Sequence, residues 1–334
     1  MIYDAVVVVS FGGPEGPDDV LPFLENVTRG RQVPPDRLVQ VASQYEAFGG
    51  VSPINGLNRR LIAELRAELA AHGPDLPVYF GNRNWHPFLG DTVREMAEAG
   101  VRRALAFVTS AYGGYSSCRQ YLDDIDRARA GAGPGAPEVE KLRLFYNHPG
   151  FVEPMADGLR EALERVRQPP EAVRVLFTAH SIPVAMAETS PYVEQLRATA
   201  RLVAERLPDG PHPELVYQSR SGSPQQPWLG PDINERITEL AEDGTAAVVV
   251  LPLGFVADHL EVVHDLDQVA RATAEAAGLE FVRVPTAGTD PRFVAMIREL
   301  ILEREGQAPR RALGGLGPWP DQCPPGHCPA TSRP

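Results

Sequence analysis

The chain has 334 residues, 43% hydrophobic and 23% charged, a globular composition long enough for two domains of ordinary size. A formal charge of −12 speaks against a nucleic-acid partner held through phosphates. No apolar run reaches the ~20 residues of a membrane span and no basic leader region stands before "AVVVV", so the expected compartment is the cytoplasm; three cysteines, Cys118, Cys323 and Cys328, indicate no disulfide framework.

Short apolar, β-branched runs alternate with helical patterns along the chain. The first strands are expected at 5–10, 78–81, 104–109 and 142–146, with a helix at 61–71 whose leucines recur at 61, 65 and 69. A helical pattern at 151–166 ends at Pro169-Pro170. A second set follows at 173–179, 215–218, 246–252 and 280–284, with a helix at 191–206 capped by Ser190. Continuous apolar strands suit parallel sheets buried on both faces. The expectation is therefore α/β: two Rossmann-like domains with parallel sheets, over 1–150 and 151–305, and a ligand cleft between them. Residues 306–334 read as a Pro/Gly-rich tail.

Open α/β sheets bind ligands beyond the carboxyl ends of their strands. Those ends carry "SFGGPEGPDDV", "TSAYGGYSSCRQY", "TAHSIP", "SRSGSPQQPWLGPDI" and "GFVADHLEVVHDLD". A helix starting near Asp258 would put Val262, Leu266 and Val269 on one face and Glu261, His264, Asp265 and Gln268 on the other. That pattern fits a solvated acidic face, and equally a site of carboxylate and imidazole ligands. His180 ends another apolar strand. If it faced Glu261 across a cleft, the pair would have the donors for a borderline dication such as Fe²⁺, and for proton transfer near neutral pH. No GxGxxG follows a strand, and neither a GxxxxGKS loop nor a GxSxG elbow occurs, which disfavours dinucleotide, nucleotide and α/β-hydrolase chemistry.

Taken together, six ordered blocks resemble the ferrochelatase family in its actinobacterial branch: 10–31, 45–57, 107–121, 177–183, 217–233 and 252–267. The resemblance implies a chelatase-type two-domain fold that inserts Fe²⁺, as substrate, into a porphyrin, with coproporphyrin III as the substrate of that branch and haem-pathway enzymes as transient partners. It places His180 and Glu261 at the metal site, Ser52 and Tyr121 against the tetrapyrrole, and Tyr45, Arg29 and Arg31 along the cleft. His264 and Asp265 extend outward as a proton or metal path. Phe11 stands where some relatives carry an iron-ligating tyrosine, and a phenyl ring cannot coordinate. Some relatives also hold a two-iron two-sulfur cluster on three tail cysteines and one internal cysteine. Cys323 and Cys328 have the Cys-x4-Cys spacing, Asp321 takes a further tail position, and the internal position falls near Pro154. Asp321 or His327 would have to complete the usual four ligands. The alternatives are a protoporphyrin IX ferrochelatase, a cobalt or nickel chelatase, and a non-catalytic tetrapyrrole carrier.

Overall fold

The structure is a computed structural model; it describes residues 2–329 apart from 31, 32, 34, 208, 209, 211, 222–224, 324 and 325. Two four-stranded parallel sheets form among the described residues. The first contains β1 (Ala5–Ser10), β2 (Val78–Asn82), β3 (Arg103–Val108) and β4 (Glu138–Lys141), in the order β2-β1-β3-β4. The second contains β5 (Val173–His180), β6 (Pro213–Gln218), β7 (Ala247–Leu251) and β8 (Glu280–Arg283), in the order β6-β5-β7-β8. The two orders are the same winding used twice. In each, the chain runs outward to one side of its first strand and then returns to the other. Each sheet therefore has its switch point at the carboxyl ends of its first and third strands, where ligands of such folds sit.

The central strands are sealed on both faces, as their unbroken valine runs predict: Val6 to Val9 and Val248 to Val250 have no exposure. One hydrophobic cluster runs through both sheets. Phe107 of β3 and Phe177 of β5 belong to it, joined by Phe145, Phe151 and Phe293. Phe145 lies 5.2 Å from the Phe107 ring and 5.4 Å from Phe151, within the range of favourable aromatic pairs. The helix Pro291–Arg304 supplies Phe293 and packs against both the helix Ile54–His72 and the helix Pro149–Arg165. It also carries Glu303, whose carboxylate takes the Arg143 guanidinium at 2.7 Å, both side chains nearly inaccessible.

The apolar run 142–146 is not a strand, contrary to expectation. Pairing with β3 stops at Lys141, and residues 142–146 leave the sheet to pass through the shared core, where Leu142, Leu144, Phe145 and Tyr146 are buried. Apolar continuity reports burial; here burial is met by the junction between the sheets. The tail is irregular but docked: Leu313 donates its N–H to Asn147 O at 2.8 Å, and Asn147 Nδ2 donates to Gly317 O at 2.8 Å. No described helix is long and apolar enough to cross a membrane.

Candidate active site

His180 ends β5, beside the third strand of its sheet, at the switch point. The Tyr192 hydroxyl holds its carbonyl at 3.1 Å. Beyond β7 the chain must cross the end of β5, and Gly254 makes that crossing possible. Its N–H donates to Thr178 O at 2.9 Å, and a Cβ there would stand 2.8 Å from the Ala179 Cα and Cβ. The crossing carries residues 259–261 back onto His180. Glu261 Oε1 then lies 3.4 Å from His180 Nε2, and Glu261 Oε2 lies 3.5 Å from His259 Nε2. One carboxylate sits between two imidazoles.

The tautomers follow from the outer nitrogens. His180 Nδ1 is 2.5 Å from Ser181 O, and a carbonyl only accepts, so Nδ1 carries a proton. His259 Nδ1 accepts from Val262 N–H at 3.1 Å, so its proton is on Nε2, facing Glu261. Neutral His180 therefore points a lone pair at the Glu261 carboxylate. Two acceptors at that range need a cation between them, either a proton or a metal ion. Burial pushes the His180 imidazole towards the neutral form, but the Glu261 charge outweighs it and holds the pKa above the usual 6.5. For Glu261 burial acts upward, while His180, His259 and a hydrogen bond from Ser219 pull the carboxyl down to about 2. His259 goes the other way: burial, with His180 charge adding, lowers its pKa against the pull of Glu261. The pair is open on one side, with exposures of 31% for His180 and 38% for Glu261.

The segment after His259 is not the regular helix that its periodicity predicts. His259 caps a turn over Leu260–Val262, which widens into a π-helix over Val263–Ala270. The buried positions become Val262, Leu266 and Ala270, four apart, and Val269, expected inside, is 39% exposed. The wide turn sends Asp265 towards β6, where Ser219 donates to it, and His264 Nδ1 lies 3.0 Å from Asp265 Oδ1. Glu261, Ser219, Asp265 and His264 thus form a polar chain leading away from the imidazole pair.

From the first half, α1 (Val20–Thr28), α2 (Pro35–Glu46) and the loop that follows contribute the neighbouring residues. Ser52, buried, accepts the Leu260 N–H at 3.3 Å, tying the two halves at the site. Tyr45 packs against Phe23 at 5.9 Å; burial, then the Glu261 charge, raise its phenol pKa. Phe48 meets the His264 ring edge-on at 6.4 Å. Phe11 lies 6.2 Å from Phe23, and the Arg83 guanidinium sits 5.8 Å from the Phe11 ring and 4.5 Å from the Tyr121 ring. Arg83 pairs with Asp124, so its charge is already met. Arg29 is exposed and donates to Asn26. Arg31 lies outside the described residues. Of the expected residues, then, His180, Glu261, Ser52, Tyr45, His264 and Asp265 gather at one place, and Phe11 and Tyr121 share the Arg83 contact.

Sequence reasoning missed His259 and Ser219. Residues two apart do not share a helix face, so His259 looked unrelated to Glu261; only a helix that starts after it lets both reach the same place. Ser219 has a φ of 62°, rare for a non-glycine residue, and only its position after β6 hinted at it.

The ferrochelatase family model matches residues 3–305. The chain belongs to the ferrochelatase family. Among similar ferrochelatases, the coproporphyrin III ferrochelatase of Frankia alni is 55% identical, with 97% of this chain and 86% of that protein covered. The ferrochelatase of Rhodopirellula baltica is 50% identical, covering 99% and 95%. Among solved structures, SirB from Bacillus subtilis with Fe³⁺ superposes with a TM-score of 0.52 at 14% identity, covering 92% of this chain and 98% of that one; it supports the chelatase-type fold alone.

The tail of this ferrochelatase turns back towards the first sheet. Cys118, buried in the turn Tyr115–Arg119, lies within electrostatic range of Cys323, and Cys328 within range of both. Sequence separation had set Cys118 apart from the tail pair. His327 Nδ1 is 3.1 Å from Cys328 Sγ. Asp321 is taken by Arg304 and Arg310, at 3.4 and 3.2 Å. Pro154 is buried inside a helix and offers no donor.

Proposed function

We propose that this ferrochelatase inserts Fe²⁺ into coproporphyrin III, with His180 and Glu261 as the residues that meet the metal. The observation that carries the reading is the 3.4 Å approach of His180 Nε2 to Glu261 Oε1, two acceptors facing a shared cation position. The substrate assignment rests on the curated relatives, such as the Frankia alni protein, that act on coproporphyrin III.

The chemistry asks for little more. Insertion removes two pyrrole protons and strips water from the metal. Neutral His180 ligates Fe²⁺ or accepts a pyrrole proton; Glu261 balances the dication, then passes protons outward through Ser219 and Asp265. Among the described residues, only His180 Nε2 and the Glu261 carboxylate are aimed at the shared position as acceptors, because His259 turns its protonated Nε2 to Glu261. Such a sparse protein donor set suits a metal in transit, because the four pyrrole nitrogens complete its coordination and a fuller protein site would retain it. Tyr45 and Phe11 are assigned to the porphyrin's side of the cleft, with the buried Ser52 and Tyr121 behind it, and Arg29 to the propionates; Arg31, assigned with it, lies outside the described residues. The two sheets with their helices are taken as the two domains, meeting near residue 150.

The residues present fall one short of the usual four cysteines for a two-iron two-sulfur cluster: the Pro154 position has no donor and Asp321 is committed to two arginines, which leaves Cys118, Cys323 and Cys328 with His327, 3.1 Å from Cys328 Sγ. No step is assigned to such a group. Free cysteines match the reducing cytoplasm as the compartment.

Anaerobic assays with Fe²⁺, read as loss of porphyrin fluorescence, test the reading. Coproporphyrin III should be consumed with a kcat/KM at least about tenfold above protoporphyrin IX, a difference of about 1.4 kcal/mol. Equal or reversed values would overturn the substrate assignment; no consumption of either would overturn the activity.

A further inference from the structure

Ten residues, Asp258 to Asp267, hold four carboxylates and two imidazoles. Only two of those carboxylates, Glu261 and Asp265, belong to the polar chain described above. The other two, Asp258 and Asp267, stand at the ends of the segment, and a single guanidinium takes both. Arg283, the last residue of β8, donates Nη1–H and Nη2–H to Asp258 Oδ1 and Oδ2 at 3.1 and 2.9 Å, and Nε–H to Asp267 Oδ1 at 2.6 Å. The three side chains are mostly covered, at 15%, 19% and 27% exposure.

We propose that Arg283 is a positioning residue for iron insertion: its fork pins both ends of the arc that carries His259, Glu261, His264 and Asp265. The position follows from the sheet. β8 is an edge strand paired in register with β7, Val250 opposite Arg283, so the side chain leaves the carboxyl end of the sheet beside the crossing loop. There it meets the start of the arc, one residue before His259, and its π-helical end, two residues after Asp265. The wide turn leaves the backbone ladder less regular than an α-helix, so its curvature needs support from outside. A planar guanidinium gives it in two directions at once, which an ammonium cannot. Neutralising Asp258 and Asp267 has a second effect. It leaves the local negative charge of this arc to Glu261 and Asp265, which meet His180, His259, His264 and Ser219 at the reacting centre.

This role rests on the proposed function, since iron insertion into coproporphyrin III is the reference activity. The test compares the full-length wild type with Arg283→Met, Arg283→Lys and Asp267→Asn. Misplacement of a catalytic group by ~1 Å costs on the order of 100-fold, so Arg283→Met should lose about that much in kcat. Its coproporphyrin affinity, read by fluorescence titration without metal, should stay within about twofold of wild type, because the Arg283 donors are taken by Asp258 and Asp267. Arg283→Lys should recover part of the loss. Asp267→Asn, which frees one arm only, should lose about tenfold and remains informative if Arg283→Met fails to fold. Wild-type kcat in folded Arg283→Met or Asp267→Asn would overturn the proposal. So would a loss of activity matched by an equal loss of porphyrin affinity and thermal stability, which marks general damage. A wild type that does not insert iron would remove the functional reading and this role with it, whereas equally active wild type and variants would remove this role alone.

Discussion

Glu303→Gln separates the shared core from the active site. Arg143 and Glu303 are 2% and 3% exposed, and each has further partners: Arg143 donates to Leu144 O and Arg311 O, and Glu303 accepts from Arg311 N. The pair bolts the strand end of the first sheet to the helix that also packs against the second half. Removing one charge leaves the guanidinium buried and unmatched, and breaking such pairs costs about 3–5 kcal/mol. The amide still accepts hydrogen bonds, so the lower figure of about 3 kcal/mol applies. An unfolding entropy of about 2.1 cal/mol/K per residue gives roughly 0.7 kcal/mol/K for a chain of 334 residues. The melting midpoint should then fall by about 4 °C. Because one hydrophobic cluster spans both sheets, calorimetry should show a single transition moving as a whole, with kcat at 25 °C unchanged. An unmoved midpoint, or a new separate transition for one sheet, would refute the view that the halves unfold together.

Stability should fall in mild acid. His148 is fully buried, and burial, with Arg143 and Arg311 nearby, lowers its pKa from 6.5 to about 3. Nδ1 accepts from Gly150 N–H at 3.1 Å, so neutral His148 already carries its proton on Nε2, facing Glu299 at 3.2 Å, and a second proton on Nδ1 would meet the Gly150 donor. A depressed histidine favours folding fully above pH 6.5 and loses that contribution as pH drops towards 3, which amounts to about 2 kcal/mol by pH 5. Denaturant titrations of His148→Gln should show a flatter profile between pH 6.5 and 5; identical slopes would contradict the assignment. At the active site, Glu261 keeps the His180 pKa raised, and protonated His180 cannot ligate iron. Glu261→Gln should therefore lower kcat strongly and move the acid limb of kcat/KM to lower pH, and an acid limb that stays or rises would show that His180 does not set it.

The fold was readable because its strands are buried on both faces: seven of the eight expected runs overlap observed strands, and the doubled winding then places the site at the switch points. The run 142–146 failed for the same reason the others succeeded, since apolar continuity cannot distinguish a sheet from a core crossing. His180 and Glu261 were legible through chemistry at strand ends and family resemblance, but their meeting depends on Gly254, whose crossing is invisible in a periodicity. The π-helix was illegible too. Its four-residue spacing of Val262, Leu266 and Ala270 differs by one position from the α-helical pattern, and the departure moves Val269 outward. Cys118 shows the same limit, for only the docked tail brings Cys323 and Cys328 near it.

His180→Ala bears most directly on the account. It removes one acceptor from the shared cation position while leaving Ser52, Tyr45 and Tyr121 in place. With anaerobic Fe²⁺ and coproporphyrin III, the variant should bind the porphyrin with an affinity within about twofold of wild type and insert iron at least about 100-fold more slowly. Iron insertion at the wild-type rate would contradict the claim that this imidazole and the Glu261 carboxylate together meet the metal.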